Sequence, residues 1–160
     1  WEKAMSTENP PAGAPSKFDC PDANSGTIFL VLDAPAAKDG ETPVSHRFVD
    51  FDTTLAPGVW LHFHCRGGDG RTTTFLAMHD IIHNAPQVSV NDILVRQYLL
   101  GGVNLYKPPD DSTSYQYPFA VEREKFIRDF YDYVYAVKPG GFKVNWSAWV
   151  AHKTHKESEG

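Results

Sequence analysis

Read for its alternation of apolar and polar positions, the chain divides into a few short segments of distinct period. Thr27-Ile28-Phe29-Leu30-Val31-Leu32 is an apolar, β-branched run, the pattern of a buried strand. Asp33 to Glu41 follows as a loop with proline and glycine breakers. Thr42 and Pro43 then form a helix start, a hydroxyl cap followed by proline at the first helical position. Val44, Phe48, Phe51 and Leu55 continue at helical spacing until Pro57-Gly58. Val59 to His64 alternates as a second strand and ends directly at Cys65. Beyond a glycine cluster, Thr72 to Asn84 carries Phe75, Leu76, Met78, Ile81 and Ile82 on one helical stripe. Val90 to Leu100 reads as a helix stopped by Gly101-Gly102, residues 107–118 as a loop, and Val121 to Val137 as the clearest helix. Trp146 to Val150 predicts a final turn. Residues 1–26, rich in Pro, Gly, Ala, Ser and Asn, predict an irregular arm ahead of a single domain at 27–155. The sum is an α/β domain with a central, mostly parallel sheet flanked by helices.

Composition narrows what such a domain can do. At 160 residues there is room for one core, and 41% hydrophobic content fits a folded chain. A formal charge of -5 advertises neither a nucleic-acid surface nor an anionic-membrane surface. No apolar run approaches the ~18–20 residues of a membrane span. The two cysteines, Cys20 and Cys65, do not make a disulfide framework. The chain begins at Trp1, so compartment is not legible from its start.

Candidate chemistry concentrates in His64-Cys65-Arg66-Gly67-Gly68-Asp69-Gly70-Arg71-Thr72. The segment joins a predicted strand end to a predicted helix start, where unpaired N–H groups and the helix dipole favour an anion. Gly67, Gly68 and Gly70 allow successive N–H groups to face one centre. Arg71 adds a planar, two-pronged donor that matches phosphate oxygens. A thiol in that field is expected to ionise near neutrality and to attack a phosphoryl group. His62 and His64 have no third ligand at metal spacing, so no metal and no organic cofactor is expected.

His64-Cys65-x5-Arg71-Thr72 is the signature of protein-tyrosine-phosphatase (PTP)-like enzymes, and its surroundings resemble the bacterial PTP-like phytases. The resemblance rests on Trp60 to Cys65, Gly70 to Phe75, Asp92 to Gln97 with Gly101-Gly102, Arg123-Glu124-Lys125, and Trp146 to Trp149, and covers roughly residues 42–152. It implies a PTP-like fold and hydrolysis of inositol polyphosphates, phytate first, through a cysteinyl-phosphate. It gives Cys65 the nucleophile's role, Arg71 and the residues from Arg66 to Gly70 the phosphate cradle, Thr72 help in expelling the thiolate, and His64 a bond to the loop backbone. Lys125 matches a substrate-contacting position; Arg66, Lys107 and Arg123 are further candidates for holding phosphates, and Arg96 is read as structural. The general acid is Asp33, at the end of the first predicted strand, or Asp39 in Asp39-Gly40-Glu41-Thr42-Pro43, with Asp33 the first choice and Glu41 behind both. The family's Asp-His pair in the acid loop is absent, and Asp69 puts a negative charge inside an anion loop. Partners are limited to a small polyphosphorylated substrate; oligomeric state stays open, and the resemblance is compatible with a bacterial periplasmic or secreted setting. Two other readings stay open: a dual-specificity-type protein or small-phosphoester phosphatase, and a pseudoenzyme that binds a phosphorylated ligand.

Overall fold

A computed structural model describes residues 44–59, 61–65 and 67–158. The predicted arm at 1–26, the run 27–32, the acids Asp33, Asp39 and Glu41, the Thr42-Pro43 cap, Trp60 and Arg66 lie outside the described residues. Two compact units divide between His62 and Phe63. The first contains helix α1, Val44–Thr53, whose Phe48, from the predicted stripe, is fully buried together with Val49, while Phe51 is half-buried.

The second unit is built from four helices: α2 (Gly70–Asn84), α3 (Val90–Leu99), α4 (Tyr117–Val137) and α5 (Trp146–Ser158). α2 packs on both α3 and α4. Its Ala77, Met78, Ile81 and Ile82 meet a core shared with Ile93 and Leu94 of α3 and with Ile127, Phe130, Tyr133 and Val134 of α4. Each large side chain buried there contributes roughly 1.5–3 kcal/mol. Trp146 of α5 closes the far side, its ring 5.5–5.9 Å from those of Phe126, Phe130 and Tyr133. Local caps fix the ends. Ser89 accepts the Asp92 N–H at 3.2 Å and returns its hydroxyl to the Asp92 carboxylate at 2.7 Å, and Asn145 accepts the Ala148 N–H at 2.8 Å.

The expected central parallel sheet is corrected by the structure: the described residues are helical and contain no strand. Leu61 to Cys65 keeps the alternation read from the sequence, with Leu61, Phe63 and Cys65 half-buried and His62 and His64 exposed. Alternation requires only an extended backbone, whereas a strand also requires a neighbour to accept and donate its ladder bonds. None of the described residues forms such a ladder with it.

Two helices also differ from their expected extents. α4 begins at Tyr117, four residues before the predicted Val121, because Pro118 occupies its first turn, where no N–H is needed. α5 continues beyond Val150 to Ser158. Lys153 anchors this extension, donating to Asp129 at 2.7 Å and Asp132 at 3.2 Å, with its ammonium 5.1 Å from the Trp149 ring centre.

Candidate active site

Cys65 is a free, half-buried thiol immediately before the glycine cluster. Burial pushes its pKa up, but four hydrogen bonds outweigh that: the Thr72 hydroxyl, then the backbone N–H groups of Thr72, Gly67 and Gly68. Together they bring it down from an ordinary 9.0 to about 7. The Thr72 hydroxyl is buried and meets no other hydrogen-bonding group among the described residues, so the Cys65 thiolate is the acceptor open to it. The loop thus holds a half-ionised nucleophile at neutral pH by directed N–H and O–H groups alone.

The start of α2 carries no side-chain cap. Asp69 occupies its N-cap position, yet its side chain makes no capping bond, so the first-turn N–H groups are not consumed by it. Its backbone carbonyl instead accepts the Thr73 N–H at 2.9 Å and the Thr73 hydroxyl at 3.0 Å. The Thr73 oxygen also accepts the Val103 N–H at 3.0 Å, tying the exit of α3 to the first turn of α2. That contact needs glycine at 102, where a Cβ would lie 2.7 Å from the Thr73 methyl and 2.9 Å from the Gln97 carbonyl. Asp80, two turns further along α2, accepts from Arg96 Nε at 3.0 Å, from Arg96 Nη2, from Gln97 at 2.8 Å and from Asn84 at 2.8 Å. Arg96 is therefore occupied in holding α3 to α2.

Beside the loop a cleft of about 500 Å³ is walled by Asp69 and Gly70, by residues of the 103–110 segment, and by Tyr115, Phe119 and Arg123 from the start of α4. The Arg123 guanidinium lies flat against Gly70; a Cβ there would sit 2.7 Å from its Cζ. Arg128, one turn beyond Glu124, braces the segment by donating to Glu124 at 3.0 Å, to Asn91 at 3.0 Å and to the Tyr106 carbonyl at 3.2 Å.

Cys65, Gly67, Gly68 and Thr72 are thus brought together at the thiol, and Asp69 and Gly70 form its cleft-side edge. His64 immediately precedes the thiol and Arg71 is the second residue of α2, both exposed. Lys125 points elsewhere: its side chain is 80% exposed and donates to Asp129 at 2.7 Å. Arg66 and Asp33 fall outside the described residues. Sequence reasoning missed the aromatic wall formed by Tyr115 and Phe119, because 107–118 reads as a loop. Pro118 at a helix start was the signal that could have placed Phe119 and Arg123 on one helical turn.

Comparison with known proteins follows the same lines. No protein-family profile matches the chain. It is 41% identical over 93 residues to the uncharacterized protein AvrBs1.1 of Xanthomonas campestris pv. campestris, covering 58% of this chain and 88% of that one. It is 34% identical over 88 residues to the effector protein hopD2 of Pseudomonas syringae pv. tomato, covering 55% of this chain and 19% of that one. Among solved structures it resembles a PTP-like phytase from Bdellovibrio bacteriovorus, with TM-score 0.60 and 36% identity over 68% of this chain and 41% of that one. It also resembles the PTP-like myo-inositol phosphatase from Mitsuokella multacida in complex with myo-inositol-(1,3,4,5)-tetrakisphosphate. That match has TM-score 0.58 and 39% identity over 72% of this chain and 20% of that one. The chain thus spans well under half the length of either solved relative, and its fold is phosphatase-like.

Proposed function

The chain belongs to the same family as AvrBs1.1 of Xanthomonas, and we propose that it is a cysteine-dependent phosphomonoester hydrolase acting on inositol polyphosphates. The observation that carries this reading is the thiol of Cys65, hydrogen-bonded by three loop amides and the Thr72 hydroxyl and brought to a pKa of about 7. Arg71 follows six residues later at the head of α2. The substrate class is supported by the likeness to PTP-like phytases, one of them in complex with an inositol tetrakisphosphate.

In the proposed first step the Cys65 thiolate attacks phosphorus. An S–P bond forms as the P–O bond to the leaving alcohol breaks, and a carboxylic acid, Asp33 or Asp39, protonates the departing oxygen. The loop amides and the Arg71 fork neutralise charge on the equatorial oxygens. In the second step the same carboxylate takes a proton from water, which attacks phosphorus. The S–P bond breaks, releasing inorganic phosphate and a thiolate that Thr72 helps to stabilise.

Cys65→Ser tests the covalent route. A serine hydroxyl stays protonated where a thiol ionises, so turnover should fall by at least about 10³-fold with the fold retained. Rapid denaturation during turnover of ³²P-labelled substrate should leave label on the wild-type protein and none on the variant. Turnover by Cys65→Ser within tenfold of wild type would sink the mechanism. Asp33→Asn should cost roughly 10²–10⁴-fold on an alkyl phosphate and less on p-nitrophenyl phosphate, whose leaving group needs little protonation. The same pattern in Asp39→Asn alone would reassign the acid.

A further inference from the structure

The cleft beside the nucleophile loop has four charged wall residues, Asp69, Lys107, Asp110 and Arg123. Two of them neutralise each other: Lys107 donates to Asp110 at 2.6 Å, and each shifts the other's pKa in the direction of a formed ion pair. Arg123 remains. Its half-buried guanidinium has no hydrogen bond or ion pair to any described residue. Five N–H donors with no acceptor among the described residues, facing an open cleft, form an arrangement that an anion completes.

The guanidinium lies against the first residue of α2, where glycine leaves room for it: a Cβ at 70 would sit 2.7–3.0 Å from Cζ, Nε and Nη2. One turn along α4 from Arg123 is Ile127, fully buried, and α4 packs on α2. The position of the Arg123 backbone relative to the start of α2 is therefore set by a packed core. The rest of the wall is largely apolar or aromatic, with Leu105, Pro108, Pro109, Tyr115 and Phe119.

We propose that this cleft is an accessory subsite for one further anionic group, anchored by Arg123. The preferred substrate is then a compact phosphomonoester bearing a second phosphate near the scissile one, such as a cyclitol bisphosphate. A fully phosphorylated ring is disfavoured. Among the described wall residues Arg123 is the one cation without a protein partner, and additional phosphates approach the carboxylates of Asp69 and Asp110. The carbon ring lies on the apolar and aromatic surfaces. This proposal rests on the phosphatase reading and deepens it by fixing how many anionic groups the site recognises.

The test compares p-nitrophenyl phosphate, a vicinal myo-inositol bisphosphate and myo-inositol hexakisphosphate on the full chain. Wild type should show its highest kcat/KM on the bisphosphate. Arg123→Ala should raise the KM for the bisphosphate at least tenfold more than that for p-nitrophenyl phosphate, and Arg123→Lys should restore part of the difference. Higher salt should narrow the gap. Equal rises for both substrates would make Arg123 a support for the loop and overturn the subsite. A preference for the hexakisphosphate would overturn it equally. Calorimetry on Cys65→Ser separates this proposal from the chemistry. Bisphosphate affinity at least tenfold weaker after adding Arg123→Ala supports the subsite even if wild type hydrolyses none of the three, an outcome that would remove the phosphatase reading alone. Unchanged affinity overturns the subsite.

Discussion

At the start of α2 the Asp69 side chain makes no capping bond, and the loop turns three of its own N–H groups toward a thiol. Eleven residues further along the same helix, Asp80 is filled from three sides by Arg96, Gln97 and Asn84. The helix then closes with Lys138 donating to the carbonyls of His83 and Ala85 at 3.1 and 2.8 Å. Polar groups are concentrated at both ends, but only one end spends them internally. Saturated groups hold α2, α3 and α4 in register, whereas donors aimed at a reactive atom and an open cleft are available to a ligand. The contrast separates saturated polar groups from open ones: Arg96, on α3, is taken up by Asp80, whereas Arg123, on α4, has no hydrogen bond or ion pair among the described residues.

The sharpest way to break the contrast is Asp80→Ala. Removing an 8% exposed carboxylate leaves Arg96 and Gln97 without their acceptor. Stability should fall by about 2–3 kcal/mol, less than for a fully buried pair because the Arg96 side chain is 44% exposed. Urea unfolding measures this. The alkylation profile of Cys65 should stay in place below the unfolding transition, and a moved profile would mean that the two ends of α2 are not independent.

A smaller effect is expected at the open end. The rate of Cys65 alkylation by iodoacetamide should rise with pH around a midpoint near 7. Thr72→Ala removes the strongest of the bonds that lower this value, so the midpoint should move from about 7 toward about 8. A midpoint that stays put would mean that the amides alone hold the thiolate. The linkage has a definite sign. A thiol whose pKa is lower folded than unfolded adds stability above its unfolded pKa, and that increment is lost as pH falls through about 7. Thr72→Ala should shrink the increment, which unfolding at pH 6 and pH 9 can read.

Helices were legible in the sequence wherever a long apolar stripe met a chemical stop. The stripe of Met78, Ile81 and Ile82 and the Gly101-Gly102 stop place α2 and α3 to within two residues. The gathering of N–H groups around Cys65 was legible for a similar reason: cysteine, glycines, arginine and threonine at fixed spacing leave the backbone few ways to arrange them. The central sheet expected from the sequence is absent among the described residues, because Val59 to His64 shows an alternation that any extended segment shares, and pairing is a property of two segments at once. Nor could sequence spacing choose between Arg123 and Lys125. They are two residues apart and chemically similar, yet helical geometry turns them about 200° from one another. Packing of α4 on α2 sends Arg123 to Gly70 and Lys125 to Asp129. Local pattern determined the helices and the reactive loop, since both follow from covalent geometry within a few residues. Tertiary packing alone decided which cation meets the cleft, because that depends on the face a neighbouring helix covers.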